Sequence, residues 1–379
     1  MYSMTVRTSS TTYPVVVGAR VLEEIPQRLA AEGLRGAVWL VADAALVTAA
    51  AEVERHVRAG GYRISTLLVP SGEASKSAAQ LQELYDWLIG GGVERRDVVL
   101  ALGGGVIGDL AGYAAATVLR GLAIIQLPST LLAMVDAAIG GKTAINHRLG
   151  KNLIGAFHQP RMVLADTTLL ATLPARELRA GWAEVIKHGV IRDAGLFSAL
   201  NELADARHWQ RGGSVAAWDA ADPQLTEQLT ALIARAAAVK TEVVSLDEFE
   251  QGERITLNYG HTIGHAIEQA AGYRLLHGEC VAIGMDAAAR IAAQLGMCSG
   301  DLVRRQRDLL AAYGLSVQLP PDLISGGLAE LIQRDKKVLQ GRVRWVLPTD
   351  IGSVIVRSDV PHEVVQQVLA TLESGSVEQ

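Results

Sequence analysis

Val98-Val99-Leu100-Ala101-Leu102 runs into Gly103-Gly104-Gly105-Val106-Ile107-Gly108-Asp109 and then into Leu110 to Thr117. The order is an apolar strand, a glycine turn and a helix. Gly103, Gly105 and Gly108 satisfy the dinucleotide spacing, in which residues without Cβ let backbone amides approach a pyrophosphate at the positive end of a helix. A tight strand-to-helix turn without any ligand accounts for the glycines equally well. Two features depart from an ordinary Rossmann dehydrogenase: the loop follows a late strand, and no acid stands about 20 residues further on to hold a ribose. Other partners for a nucleotide lie at the ends of earlier strands, where open α/β sheets bind ligands: Asp43, and Glu73 with Lys76. Taken singly, each of these three reads as a helix cap or a solvated charge.

Outward from this stretch, short apolar runs recur at Val15–Val17, Ala37–Ala42, Ile64–Val69, Ala123–Leu127 and Met162–Leu164, the pattern of parallel strands buried on both faces. Helical periods such as Ala44–Ala59 and Ser77–Ile89 separate them. Beyond Leu173-Pro174 the character changes to helical segments: Ala175–Ile191, Pro223–Glu248, His261–Ala271, Glu279–Leu295 and Leu302–Tyr313. Gly212–Ala221 reads as a loop, Val343–Leu347 and Ser353–Val356 as strands, and the last residues as frayed. The expected fold is an α/β Rossmann-like domain over residues 1–173, followed by a mostly α-helical domain over residues 174–379.

The chain has 379 residues, too many for one ordinary core, and 49% of them are apolar and 20% charged, which excludes a disordered chain. The formal net charge is -5, without a basic run able to neutralise a nucleic-acid backbone. Two cysteines, Cys280 and Cys298, suit a reducing compartment. Neither a signal-peptide core nor a membrane-length apolar window occurs, so a cytoplasmic protein without membrane or nucleic-acid partners is expected.

His261-Thr262-Ile263-Gly264-His265 sets two imidazoles at i and i+4 on one helix face. His277 follows in His277-Gly278-Glu279, and Glu184 stands in Ala183-Glu184-Val185-Ile186-Lys187. Catalytic zinc commonly takes three ligands of this kind and keeps a position open. The spacing leaves open which three of the four would bind. Thr262 occupies the place of the general-base Glu in H-E-x-x-H, which excludes a metalloprotease helix. Lys142 in Gly140-Gly141-Lys142-Thr143, Lys151 and Asn152 after Gly150, and Lys336 in Asp335-Lys336-Lys337 lie in polar, turn-like segments suited to an anionic substrate. The residues alone point to a nucleotide-assisted, metal-dependent enzyme acting on a small phosphorylated polyol.

Taken together, the glycine loop, Val135-Asp136 with Gly140-Gly141-Lys142-Thr143, Gly150-Lys151-Asn152-Leu153-Ile154-Gly155-Ala156-Phe157, Ala183-Glu184-Val185-Ile186-Lys187, Asn258-Tyr259-Gly260-His261-Thr262-Ile263-Gly264-His265 and His277-Gly278-Glu279 resemble the dehydroquinate synthase family. The resemblance implies zinc, or cobalt in its place, on Glu184, His261 and His277. It places Asp136, Lys142, Lys151, Asn152, Lys187, Lys240, Arg254, Asn258, His265 and Lys336 around a sugar phosphate. Arg120 would reach the phosphate of a neighbouring subunit's substrate, which makes a homodimer the expected form. NAD would be held by Asp43, Glu73, Lys76, Gly105, Val106, Asp109, Ser129, Thr130, Asp136, Lys142, Lys151 and Thr172. Two departures stand out: Ala45 replaces a polar contact of some members, and Ser129-Thr130 replaces the more usual Thr-Thr or Thr-Ser.

The implied reaction converts 3-deoxy-D-arabino-heptulosonate 7-phosphate to 3-dehydroquinate and phosphate, a step toward the aromatic amino acids. It proceeds by transient oxidation, phosphate elimination, re-reduction and aldol closure, with Lys142, Asn152, Glu184, Lys187 and His265 as the expected catalytic residues. The rival expectations are an aminodehydroquinate synthase or another sugar-phosphate cyclase, and, in another reaction class, a metal-dependent alcohol or glycerol dehydrogenase.

Overall fold

The protein is described by a computed structural model covering residues 1–209, 218–320, 322–323, 327–332 and 343–374. It forms two compact units. Met1–Leu173 and Asp219–Phe249 make the first, Pro174–Trp218 and Glu250–Gln379 the second.

The first unit is built on β1 (Tyr2–Arg7), β2 (Thr12–Gly18), β3 (Val38–Asp43), β4 (Ile64–Val69), β5 (Val98–Gly103) and β6 (Ala123–Pro128). A hairpin of β7 (Lys142–His147) and β8 (Gly150–Phe157) follows, and then β9 (Met162–Asp166). The seven-stranded sheet runs β1-β2-β9-β6-β5-β3-β4. All neighbouring pairs are parallel except β1 with β2. All six residues of β5 and all five of β9 are buried, because the central strands are covered on both faces and gain from apolar side chains at every position. On one face, α3 (Ala78–Gly90) and α4 (Gly105–Thr117) bring Leu84, Leu88, Ile107 and Leu110 onto Trp39, Val41 and Val99. The Trp39 indole meets Trp87 edge-on at 5.1 Å and donates to Asp97 at 3.0 Å. Two more helices, α1 (Ile25–Ala31) and α2 (Val47–Ala59), complete the α/β layers before the chain leaves this unit.

It leaves as α5 (Ala175–Ile191) and α6 (Ala194–Ala206) and returns as α7 (Pro223–Leu246), started by Pro223 and capped by Asp222, which accepts from Leu225 N at 2.9 Å. The apolar stripe of α7, including Leu229, Ile233, Ala236 and Val243, packs on β1 and β2. The sequence reading had assigned all of 174–379 to one helical domain. Helical period alone does not tell which core a stripe faces, and this one belongs with the sheet.

The second unit contains α5, α6, α8 (His261–Ala270), α9 (His277–Gln294), α10 (Gly300–Ala312), the hairpin β10 (Trp345–Asp350) with β11 (Ser353–Arg357), and a C-terminal helix over His362–Ser374. Its aromatic core joins Trp182 and Tyr313 at 5.0 Å, with the Tyr313 hydroxyl donating to Leu200 O. No described helix is long and apolar enough to cross a membrane.

Several expectations shift. Residues before Thr12 form β1, whose Met4 and Val6 alternate with polar neighbours, a signal too short to stand out alone. Lys142, Lys151 and Asn152, expected in turns, lie on the β7–β8 hairpin. α6 and the C-terminal helix were not anticipated, and α9 begins at His277, two residues before the helical segment expected from Glu279. Most of the loop expected at Gly212–Ala221, and the frayed last residues, lie outside the described residues.

Glu248, 8% exposed at the end of the returning segment, accepts from the Ser9 and Ser10 hydroxyls and from Gln159 Nε2, tying that segment to the β1–β2 turn. Burial works to raise its carboxyl, but the three donors outweigh burial and hold it below the ordinary glutamate range. A depressed folded-state value stabilises above the unfolded value, and the gain is lost as pH falls through the folded one. Glu248→Gln is therefore expected to lower stability in urea by about 1.5 kcal/mol near neutral pH. The difference should shrink toward zero in acid, below about pH 4.

Candidate active site

In the first unit the expected nucleotide residues gather at the strand ends. Gly104 stands at the start of α4 with no side chain capping the helix, which leaves the positive end of the helix without a side-chain acceptor. None of Gly103, Gly104 or Gly105 has positive φ. Glycine is required here for close approach: a Cβ on Gly103 would sit 2.6 Å from Ile107 Cγ1, and one on Gly108 2.8 Å from Gln126 Oε1. Val106 and Asp109 lie on the first turns of α4. Ser129 is buried, its amide bonded to Gly103 O, and Thr130 Oγ1 accepts from Ala133 N.

Lys76, 4% exposed, donates to Asp109 Oδ2 at 2.6 Å and also to Asn152 Oδ1. Burial raises the Asp109 carboxyl against the pull of Lys76. Asn152, in the left-handed region at φ 58°, has its amide bonded to Asn146 Oδ1, and Asn146 Nδ2 donates to Glu73 at 2.7 Å. One polar network thus joins Glu73, Lys76, Asp109 and Asn152 through the hairpin. Asp43 caps the turn after β3, accepting from Ala45 N and Ser71. Ala45 enters this turn through its backbone amide alone, since its side chain has no polar atom. Asp136 sits on a π-turn, Ala133–Ala137, paired with Lys240 of α7. Lys142 and Arg120 are exposed, Lys151 is half-buried, and Arg120 has φ 68°. Thr172 Oγ1 donates to Leu169 O, at the end of the unit's first segment. Lys336 lies outside the described residues.

In the second unit α5 is buried on every side from Ala180 to Ile191, yet it carries Glu184, Lys187 and His188 at 0% exposure. Charge in such a place is tolerated only when paired or when it serves a ligand. Glu184 Oε2 pairs with Lys187. Glu184 Oε1 lies 3.6 Å from His261 Nε2 and 3.5 Å from His277 Nε2, too far for hydrogen bonds. These ligand atoms all lie within 4.8 Å of one another. Donors about 2.0–2.2 Å from a tetrahedral zinc stand roughly 3.3–3.6 Å apart, so the spacing of the carboxylate from each imidazole fits a divalent cation between them. His261 Nδ1 is bonded to Tyr259 O at 3.0 Å, which leaves Nε2 as the ligand atom. Burial, aided by Lys187, holds the His261 imidazole well below its usual range. Burial alone would lower His277 as well, but the negative charge of the neighbouring Glu184 and Glu268 carboxylates pushes it up to about 9. His265, exposed on the same stripe, has its ring 5.3 Å from that of His261 and 5.9 Å from that of His277. Arg254 is 1% exposed, and Asn258 Nδ2 donates to Glu250 at 3.0 Å.

Close helix crossings create this convergence. A Cβ on Gly278 would stand 1.9 Å from Ala180 O, and one on Gly284 2.0 Å from Gly260 O. α9 therefore presses backbone to backbone against α5 and against the start of α8, which carries His277 to Glu184 and His261. The sequence reading passed over Glu250 and Glu268. Glu268 had a legible signal, since it follows His261 and His265 on one face at i+7; Glu250 had none.

A pattern described as 3-dehydroquinate synthase N-terminal matches residues 66–180, and one described as 3-dehydroquinate synthase C-terminal matches 181–338. A 3-dehydroquinate synthase of Synechocystis sp. is 46% identical over 359 residues, 94% of this chain and 96% of that protein. The chain belongs to the 3-dehydroquinate synthase family. Among solved structures, a 2-epi-5-epi-valiolone synthase from Streptomyces hygroscopicus subsp. jinggangensis, with NAD+ and Zn2+ bound, is similar at TM-score 0.84 and 29% identity, covering 97% of this chain and 98% of that one. A 2-deoxy-scyllo-inosose synthase complexed with carbaglucose-6-phosphate, NAD+ and Co2+ gives TM-score 0.83 at 25% identity, with 97% and 99% coverage. Membership bears out the expected architecture, a parallel-sheet α/β part and a helical part.

Gly278→Ala should drive α9 off α5 and weaken binding of zinc by about tenfold or more, since overpacking of about 1–3 kcal/mol falls on the ligand spacing. Chelator competition measures it. Gly300→Ala, where a Cβ meets open space, should leave affinity unchanged.

Proposed function

We propose that the chain converts 3-deoxy-D-arabino-heptulosonate 7-phosphate to 3-dehydroquinate and phosphate. The observation that carries this reading is the convergence of Glu184, His261 and His277 in a chain matched nearly end to end by 3-dehydroquinate synthases. The same reactions on other cyclitol precursors are disfavoured by the lower identity of the valiolone and inosose synthases.

When bound, NAD would take up and return the hydride at C5, and the zinc or cobalt ion would acidify the hydroxyls at C4 and C5. Everything else falls to side chains. The first-turn amides of α4, with Gly105, Val106, Ser129 and Thr130, hold the pyrophosphate side of the nucleotide, and Asp43, Glu73, Lys76, Asp109 and Thr172 hold the rest of it. Lys187 places a cation against Glu184, and so stands beside the oxygen that gains charge on deprotonation. His265 is read as the group that exchanges the proton with the substrate hydroxyl. Arg254, Asn258 and the Lys240–Asp136 pair recognise the carboxylate and the ring hydroxyls. Lys142, Lys151, Asn152 and Lys336 hold the phosphate, whose own oxygen takes the C6 proton as it leaves. Ring opening and aldol closure then need only the orientation these contacts impose. Lys142, Lys151 and Asp136 border both nucleotide and substrate in this reading.

Arg120 follows Leu119, and both non-glycine residues are held at positive φ, 68° and 50°. We read this strained, exposed arginine as completing the phosphate site of a second copy, which makes the working form a homodimer. Two free cysteines, Cys280 and Cys298, agree with a cytoplasmic location.

Purified protein given the heptulosonate phosphate, NAD and zinc should release phosphate without net NADH, and lose that activity to chelator. Net NADH without phosphate would contradict the assignment. Lys142→Ala should lower kcat/KM for phosphate release by roughly 100-fold. Arg120→Ala mixed with Lys187→Ala should regain activity that neither has alone, as only hybrid dimers contain an intact site.

A further inference from the structure

Both imidazoles of the metal-capable cluster have their Nδ1 engaged and their Nε2 turned toward Glu184, but by different means. His261 uses the backbone oxygen of Tyr259. His277 Nδ1 instead meets Glu268 Oε2 at 3.3 Å, while its Nε2 is 3.5 Å from Glu184 Oε1. Glu268 is 8% exposed and lies in the last turn of α8, two turns beyond His261. A buried carboxylate there opposes the helix dipole, whose negative end is at that terminus. Neither burial nor helix energetics favours an anion at this point, and a broken local rule of this kind marks a site with another purpose.

We propose that Glu268 is a positioning residue for His277. It fixes the ring orientation and the Nδ1–H tautomer, and lends negative charge that makes Nε2 a stronger donor to a divalent cation. One helix then supplies a ligand, His261, together with the residue that aims the other imidazole from α9. The charge balance agrees: Glu184 and Glu268 offset a divalent ion and Lys187 more nearly than Glu184 alone. This inference rests on reading Glu184, His261 and His277 as the metal ligands.

The test uses full-length wild type, Glu268→Ala and Glu268→Gln, each stripped and reloaded with Co2+. Dissociation constants come from chelator competition, ligand geometry from the visible cobalt bands, and fold integrity from melting of the metal-free proteins. Glu268→Ala should bind roughly 10–100-fold more weakly with altered bands. Glu268→Gln, which keeps an oxygen to accept from Nδ1 but no charge, should fall between alanine and wild type. The metal-free proteins should melt together. Wild-type affinity and bands in both variants would overturn the proposal, as would weaker binding matched by a lower metal-free melting temperature with glutamine no better than alanine. A wild-type protein that takes up no Co2+ would overturn the ligand reading itself.

Discussion

A carboxylate in the middle of a dry helix is the constraint on which the second unit turns. α5 buries every residue from Ala180 to Ile191, so Glu184 has no access to water and must be met by positive charge from its own surroundings. Lys187, three residues on, supplies one cation, and His261 and His277 stand at metal-ligand spacing. That arrangement survives only because α9 crosses α5 and α8 at glycines, where a methyl group would collide with backbone oxygen. Packing, not local propensity, sets the chemistry.

In the proposed reading the first unit answers a different demand, holding a large anionic ligand with uncharged backbone. The glycine loop leaves the start of α4 without a side-chain cap, and the β7–β8 hairpin lays Asn146 and Asn152 against Glu73 and Lys76. Residues 76, 109 and 152, far apart in the chain, are thereby joined in one network. α7 adds Lys240 opposite Asp136, so the returning segment contributes an ion pair as well as apolar core.

Sequence periodicity was enough for six of the sheet's seven strands, all but β1. β4 spans Ile64–Val69 and α5 spans Ala175–Ile191, as expected, because continuous apolar runs and a proline-started helix are strong local signals. The hairpin was not legible: Gly150-Lys151-Asn152 carries turn-like residues, and only pairing with Lys142–His147 makes it a strand. Nor was the destination of α7, whose apolar stripe fits either core. At the metal-capable site the histidine pair at i and i+4 was visible, but spacing did not separate His265 from His277. The structure does so through tertiary contact, turning Nε2 of His277 to Glu184 while His265 stays exposed. Glu268 escaped notice because a lone acid late in a helix ordinarily reads as solvated charge.

The central claim is that Glu184, His261 and His277 together hold one divalent cation. X-ray absorption at the zinc edge of the reconstituted protein tests it most directly. The account predicts one tightly held zinc with two imidazoles and oxygen donors at about 2.0–2.2 Å. Sulfur scattering at about 2.3 Å, or a hydrated ion surrounded by oxygen alone, would contradict it.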